Sequence, residues 1–129
     1  MNNVEIVAAH YEAGGRGDLE GMLAPLAQEI SWTEMAGGEL AGTYQGHEQV
    51  VEGVFKAVGD TWSDFRIELD ELLDAGETVV ALGRYIATHR ETGKPLSARM
   101  AHVWRLRDGR AVAFEQLIDT ALLRDAGRP

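Results

Sequence analysis

The segment Trp32-Thr33-Glu34 places a single carboxylate in an apolar, strand-like stretch, and His102 lies in a similar stretch near the C-terminus. Alternate side chains of a strand share a face, so Trp32 and Glu34 point the same way. A carboxyl group beside an indole is desolvated, which raises its pKa towards the range useful for a general base or acid. An imidazole can donate a hydrogen bond to a developing enolate. Together, Glu34 and His102 predict a proton-transfer site for a small organic molecule.

Plainer roles are open to the same residues. Glu34 could be a solvated carboxylate at a strand end, and His102 could be a core histidine satisfied by a neighbouring group. His89, close to the Thr92-Gly93 turn, is predicted to be exposed. No glycine-rich phosphate loop precedes a helix, so no cofactor is predicted. The four histidines have no metal-ligand spacing, so no metal site is predicted either; they are His10, His47, His89 and His102.

The composition excludes several classes of protein. A chain of 129 residues with 45% hydrophobic residues predicts one domain, residues 1–129, with one core. The absence of cysteine excludes disulfides and thiolate chemistry. A net charge of -9, from 21 acidic and 12 basic residues, disfavours nucleic acid and anionic membranes as partners. No signal-peptide pattern and no apolar run of about 20 residues is present, so a cytoplasmic protein is predicted.

The first half of the chain predicts helices followed by a strand and a short return. Apolar residues at helical spacing follow a cap at Asn2 or Asn3, and a glycine-rich stretch ends this first helix. Asp18 is a suitable cap for a short second helix. The elements predicted next are a strand at Ile30 to Met35, a return strand at Leu40 to Tyr44 and a third helix at His47 to Val58.

The second half predicts a meander of long strands with short turns. Its strands are Phe65 to Leu73, Thr78 to His89, Leu96 to Leu106 and Ala111 to Ile118, with a final helical turn at Thr120 to Asp125. Asp108-Gly109, between two alternating runs, is a strong hairpin signal. The order predicts an α+β fold, a cone-shaped curved antiparallel sheet with the N-terminal helices on its concave face. The outer face carries a mixed surface suited to a homodimer contact, formed by Arg99, Ala101, Val103 and Arg105.

Four segments resemble the ketosteroid isomerase and SnoaL-like polyketide cyclase group of the nuclear transport factor 2-like fold. They are Gly17-Asp18-Leu19-Glu20, Ile30-Ser31-Trp32, Tyr44-Gln45-Gly46-His47-Glu48-Gln49-Val50 and Val103-Trp104-Arg105-Leu106-Arg107-Asp108-Gly109-Arg110. Each segment is loose alone, and their order and spacing over nearly the whole chain carry the resemblance. The resemblance implies the cone-shaped fold, a hydrophobic pocket for a small ligand and no cofactor.

The functional residues of the isomerases and cyclases correspond only in part to residues of this chain. The isomerase general base, an aspartate, corresponds to Glu34. Of the two oxyanion donors, the tyrosine corresponds to His10, with Tyr11 next to it, and the protonated aspartic acid corresponds to His102. Adjacent helical residues are about 100° apart, so only one of His10 and Tyr11 can face the pocket squarely. The acid/base aspartate of the cyclases corresponds to Gln116, so both the isomerase and the cyclase patterns are broken.

The register of the Asp108-Gly109 hairpin decides what faces His102. A two-residue loop predicts Glu115 opposite His102, whereas a three-residue loop predicts Phe114 opposite, with Gln116 one diagonal step away. The sequence leaves both alternatives open.

The leading hypothesis is an enzyme for proton transfer next to a carbonyl, by isomerisation or aldol-type ring closure of a small hydrophobic substrate. Glu34 is the base, His102 stabilises or protonates the oxygen, and Tyr11 or His10 assists. The residues expected to shape the pocket are Trp32, Phe55, Tyr85, Trp104, Phe114 and Gln116. The alternative is a binding protein for a small hydrophobic ligand, and a third hypothesis is a dimerisation module whose own side chains fill the pocket. An epoxide hydrolase is less favoured, because only one interior carboxylate is evident.

Overall fold

A computed structural model describes residues 1–129 as helical segments packed on one six-stranded sheet. The helices are α1 (Asn3–Gly15), α2 (Leu19–Leu23), α3 (Gly46–Val50), α4 (Lys56–Thr61) and α5 (Thr120–Ala126), and a π-helical turn (Val51–Phe55) joins α3 to α4. The strands are β1 (Leu26–Glu34), β2 (Gly42–Gln45), β3 (Trp62–Ala75), β4 (Thr78–His89), β5 (Pro95–Arg107) and β6 (Arg110–Ile118). No helix has the length and hydrophobicity that a membrane span needs.

Side-chain caps begin the first two helices where the sequence predicts them. The Asn2 side chain accepts a hydrogen bond from the Glu5 amide at 2.8 Å, and the Glu5 carboxylate accepts one from the Asn2 amide at 3.0 Å. This capping box satisfies two amides that the helix itself leaves unpaired. Asp18 caps α2 by accepting from the Gly21 amide at 2.9 Å. These caps fix the two helices that precede β1.

The third predicted helix is longer than its apolar stripe indicates. It extends from Gly46 to Thr61, where His47 to Val58 was predicted, and it contains the π-helical turn. The predicted strand at Ile30 to Met35 also begins earlier, at Leu26. Boundaries of this kind depend on tertiary pairing, which extends an element past the residues that carry its pattern.

The strand order is β2-β1-β6-β5-β4-β3, and the four strands of the second half form the predicted antiparallel meander. The α+β fold with a curved sheet is therefore confirmed. One pairing departs from the antiparallel pattern, because β1 runs parallel to β6 and joins the two halves of the chain. As a result, Trp32 lies beside Phe114, with their rings stacked at 3.7 Å.

The core lies between the helices and the concave face of the sheet. Ile6 and Val7 of α1 contribute to it, and Trp104 at its centre has no exposed surface. The other buried residues of this main cluster are Leu26, Ile30, Trp32, Val50, Val54, Val79, Leu106, Ala111 and Phe114. A smaller cluster, centred on Tyr85, Met100 and Ile118, extends the core towards the other end of the sheet. The cavity described below lies beside this second cluster.

A bulge in the last hairpin sets its register. Asp108 and Gly109 both have positive φ, as a two-residue type I′ turn requires, and Arg107 pairs with Arg110 across the turn. The register then shifts by one residue between Arg105 and Leu106, and this shift brings Gln116 directly opposite His102. Both registers considered from the sequence are therefore wrong. The loop has two residues, but the bulge moves Glu115 to the outer face.

A tight backbone crossing at Gly83 gives a stability prediction. A Cβ atom at Gly83 would lie 2.2 Å from the Glu68 carbonyl oxygen, a main-chain atom that cannot move freely. We expect Gly83→Ala to lower the free energy of unfolding by about 1–3 kcal/mol, as overpacking does. Gly59, a helical position with open space around it, is the matched control. Gly59→Ala should be neutral or stabilising by about 0.5–1 kcal/mol. Urea denaturation of both variants checks this, and equal effects would contradict it.

Candidate functional site

A partly enclosed cavity of about 250 Å³ opens beside the ends of β1 and β6. Its apolar wall includes Met35, Leu40, Val58, Trp62, Phe65 and Leu123. The lining also includes four buried side chains with polar groups, Glu34, Tyr85, His89 and Gln116, and more exposed polar residues, Glu39, Thr61, Thr120 and Arg124. An apolar pocket with a few convergent polar groups is typical of a small-molecule site. The volume suits a ligand of one or two rings.

Glu34 lies on the cavity wall with only 7% of its surface exposed. Its Oε2 accepts a hydrogen bond of 2.9 Å from the Trp32 indole, since the two side chains share one face of β1. Burial raises the pKa of Glu34, although hydrogen bonds from Trp32 and Gln116 oppose this rise. A carboxylate with a raised pKa that reaches a ligand cavity has the properties of a general base.

Gln116 is held in one orientation by a main-chain group. Its Oε1 accepts a hydrogen bond of 3.1 Å from the Met35 amide, and an amide N–H can only donate. The Gln116 Nε2 therefore faces the other way and donates to the Tyr85 hydroxyl at 3.0 Å. Gln116 thus fixes the partner of the Tyr85 hydroxyl on the cavity wall, and its proximity to Glu34 lowers the pKa of that carboxyl.

His102 lies behind the cavity wall, and its two ring nitrogens are both occupied. Nδ1 is 2.5 Å from the Tyr11 hydroxyl and Nε2 is 2.6 Å from the Tyr85 hydroxyl. Burial, with a smaller contribution from His10, lowers the pKa of His102 to about 3, so the imidazole is neutral at neutral pH. His102 is only 2% exposed and is not among the residues that line the cavity. It reaches the cavity only through Tyr85.

The structure separates the roles of His10 and Tyr11, which the sequence left open. Tyr11 faces His102 and also accepts a hydrogen bond of 2.9 Å from the Trp104 indole. His10 turns the other way, with its Nδ1 2.8 Å from the Met22 carbonyl oxygen, and burial lowers its pKa to about 4. Neither residue lines the cavity. Tyr11 can act only through His102, and His10 is a buried structural group.

The predicted aromatic pocket is divided between core and cavity. Of the six residues expected to shape it, Tyr85 and Gln116 line the cavity. The other four pack on one another as edge-on or stacked rings of the main core: Trp32, Phe55, Trp104 and Phe114. The π-helical turn and β1 contribute Phe55 and Trp32 to this cluster. These four residues do not line this cavity, in contrast to Tyr85 and Gln116.

Several cavity residues were missed by the sequence reasoning. His89 was predicted to be exposed, but it is 9% exposed, packs edge-on against Trp62 and lines the cavity. Its Nδ1 accepts from the amides of Glu91 and Thr92, which ties the ring to the following turn. Strand alternation from Tyr85 to His89 could have indicated this position, since both side chains lie on the same face of β4. Leu123 and Arg124 reach the cavity from α5, whose docking the sequence does not predict.

The geometry as a whole presents a candidate small-molecule site on a nuclear transport factor 2-like fold. A family model of the SnoaL-like domain matches residues 7–114. The chain belongs to the SnoaL-like domain family, as the four sequence segments indicated. None of the curated proteins compared with this chain matches it.

Solved structures support the same assignment. A nuclear transport factor 2-like protein from Burkholderia thailandensis is 46% identical, with a TM-score of 0.96, and the match covers 100% of this chain and 99% of that one. A nuclear transport factor 2-like protein of unknown function from Burkholderia pseudomallei is 36% identical over 98% and 97% of the two chains, with a TM-score of 0.91. TerC, co-crystallized with polyporic acid, is 26% identical over 96% of both chains, with a TM-score of 0.88.

Proposed function

We propose that residues 1–129 form a single SnoaL-like enzyme domain that transfers a proton next to a carbonyl group of a small hydrophobic substrate. The observation that carries this proposal is the buried Glu34 carboxylate on the wall of a cavity that also has a large apolar surface. The family includes cyclases and isomerases, and both reactions begin by removing a proton next to a carbonyl. Isomerisation and aldol-type cyclisation are the two outcomes open to the resulting enolate. A cytoplasmic location stays a prediction.

In this mechanism Glu34, as the carboxylate, removes the acidic C–H proton and later returns a proton to carbon. The apolar part of the wall lowers the local polarity, so polar groups of the lining are needed to stabilise the negative charge. His102 lies behind the cavity wall and stabilises this charge through its hydrogen bond to Tyr85. Tyr11 orients the His102 ring through a second hydrogen bond. Gln116 supports the carboxylate and completes the polar edge of the cavity.

Hydrogen exchange at carbon tests the proposal without knowledge of the natural substrate. A panel of enolisable ketones, including acetophenone, is incubated with the protein in D₂O, and loss of the signals of the protons next to the carbonyl is followed by NMR. Exchange above the buffer rate is expected for ketones that fit the cavity. No exchange with any ketone that binds would contradict proton transfer as the function.

The second candidate is a non-catalytic binding protein for a small hydrophobic ligand. It is favoured by the apolar cavity wall and by TerC, a relative that was co-crystallized with polyporic acid. Polyporic acid is therefore a first ligand to try. Binding of such a ligand, without hydrogen exchange at carbon in any enolisable ketone that binds, would favour this function over the enzyme.

We also propose that the outer face of the sheet forms a homodimer contact. The face mixes charge with half-exposed apolar residues, and Leu117, beside Ala101 across the β5–β6 pair, is 39% exposed. Ala101→Glu would put a charge in the centre of this surface and should yield a monomer, because an unpaired charge is costly to bury. Sedimentation velocity of the wild type and this variant measures the change. A monomeric wild type at micromolar concentration would contradict the proposal.

A further inference from the structure

A continuous set of hydrogen bonds runs through the buried side of the site, and the direction of each bond can be worked out. It starts at the Trp104 indole, whose N–H can only donate, and the Tyr11 oxygen accepts that bond at 2.9 Å. The other bond of the Tyr11 hydroxyl is to Nδ1 of His102. The Tyr11 proton therefore has one acceptor in the structure, which is this Nδ1.

The protonation of His102 follows from this bond. A neutral imidazole carries one N–H and one lone pair. If Nδ1 accepts from Tyr11, the proton is on Nε2, and Nε2 donates to the Tyr85 oxygen at 2.6 Å. The opposite tautomer would make Nδ1 a donor to Tyr11 and would leave the Tyr11 proton without an acceptor, whereas the Nε2–H form leaves the Tyr85 proton without a protein acceptor. Tyr85 lines the cavity, where a ligand can accept this proton, and Tyr11 does not line it. The Nε2–H form is therefore favoured, because it places the one unpaired proton where a partner can reach it.

The Tyr85 oxygen then accepts two hydrogen bonds from the protein. One comes from Nε2 of His102, and the second comes from Nε2 of Gln116, whose amide is fixed by the Met35 main chain. With both acceptor positions filled, only the hydroxyl proton of Tyr85 is free, and no protein group accepts it. Tyr85 lines the cavity, as Glu34 does.

We infer that Tyr85 is the group that directly contacts the substrate oxygen, donating its hydroxyl proton to a carbonyl or enolate oxygen while Glu34 faces the adjacent carbon. The inference rests on the proposed function for the role of Glu34 and names the substrate class of the same site, which is small, largely apolar ketones. His102 and Tyr11 are positioning residues, because they act on the ligand only through Tyr85, and Gln116 orients Tyr85 through its hydrogen bond. The two positions that correspond to the isomerase oxyanion donors, His10 and His102, do not contact the ligand.

The arrangement also specifies what the site disfavours. A ligand group that can only donate a hydrogen bond would leave the Tyr85 proton unpaired in the cavity wall. A hydrocarbon of the same shape would do the same. The hydrogen-bond directions therefore make the site prefer a ligand with an oxygen acceptor. The apolar wall makes it prefer a ligand that is small and largely apolar.

The first test needs no ligand. Long-range ¹H–¹⁵N NMR of the histidine rings distinguishes the two neutral tautomers, and the Nε2–H form is expected for His102 in the wild-type protein. A neutral His102 with its proton on Nδ1 would overturn the inference, because Tyr85 would then donate to His102 and have no proton left for a ligand.

The second test compares two ligands of the same shape. Acetophenone carries a carbonyl oxygen where α-methylstyrene carries a methylene group, and NMR titration gives both dissociation constants. We expect acetophenone to bind about tenfold more tightly, the ratio for one neutral hydrogen bond in an apolar site. In Tyr85→Phe the ratio should fall to about one. Tyr44→Phe, which removes a hydroxyl bonded to the Leu40 carbonyl, should keep the wild-type ratio.

A wild-type protein that binds acetophenone no more tightly than α-methylstyrene would overturn the inference, and so would a preference retained in Tyr85→Phe. The ketone preference should persist in Glu34→Gln, since the donor is not the carboxylate. This variant separates the two proposals. If the wild-type protein prefers acetophenone to α-methylstyrene but transfers no proton, the enzyme hypothesis is rejected and the inferred ketone-binding role of Tyr85 is retained.

Discussion

Glu34→Gln is expected to lower the rate of ketone hydrogen exchange by about 10²–10⁴-fold, the usual contribution of a general base. Glutamine keeps the size of the side chain and can still hydrogen-bond, but it cannot accept the proton. The measurement is the NMR exchange assay in D₂O with a ketone that the wild-type protein turns over. Ligand affinity should change little, because the substrate oxygen is bound elsewhere in the cavity.

A second carboxylate provides the control. Glu115 neighbours Gln116 in the sequence but faces outward, so Glu115→Gln should leave the exchange rate unchanged. Full activity in Glu34→Gln would eliminate Glu34 as the base. A loss in both variants would point to net charge or folding as the cause.

The raised pKa of Glu34 adds a stability result to the same variant. A carboxyl group whose pKa is higher in the folded state contributes stability below its unfolded pKa, and this contribution is lost as the pH rises through the folded pKa. At pH 7 the buried charge is therefore unfavourable to folding. Glu34→Gln should be at least as stable as the wild type at pH 7. The wild-type exchange rate should also rise with pH around a midpoint above 4.5, the ordinary value for this group.

The protein is expected to lose about 5 kcal/mol of its free energy of unfolding between pH 6.5 and pH 4.5 through two buried histidines. The pKa of His10 is lowered to about 4 and that of His102 to about 3, in both cases mainly by burial. For a base with a lowered folded-state pKa, stability is complete above the unfolded value of 6.5 and is lost as the pH falls. Each histidine contributes a slope of about 1.4 kcal/mol per pH unit in this window.

Chemical denaturation at pH 7, 6 and 5 measures this slope. His102→Gln removes one of the two titrating groups and should reduce the slope by roughly half, whatever its effect on the stability at pH 7. Protonation of Glu34 acts in the opposite direction and lessens the loss near its own pKa. A wild-type stability that is flat from pH 7 to pH 5 would mean that the two imidazoles are hydrated or paired with charge in solution.

Much of the fold could be predicted because its signals are local. The caps at Asn2 and Asp18, the Asp108-Gly109 turn and the alternation around His102 each depend on residues close in sequence, and each is present in the structure. The inward direction of Glu34 and His102 followed from the same alternation. The order of helices followed by an antiparallel meander is present too, and the SnoaL-like match confirms the family resemblance.

Two parts of the site could not be predicted in this way. The bulge between Arg105 and Leu106 shifts the hairpin by one residue, and a one-residue shift exchanges the faces of Glu115 and Gln116. The parallel pairing of β1 with β6 joins residues about 80 positions apart, and it brings the Met35 amide to Gln116. Neither event has a local sequence signal, since both depend on how distant strands fit together.

The sequence by itself determined the chemical groups of this site, namely a carboxylate, an imidazole and the tyrosines, together with the strands and helix that carry them. The tertiary structure alone decided which of these groups meets a ligand. Packing fills the space in front of His102 with Tyr11, Tyr85 and the aromatic core, and leaves open the space in front of Glu34. Residue types and periodicity specify the direction of a side chain, but the free volume at its end depends on every element that packs around it.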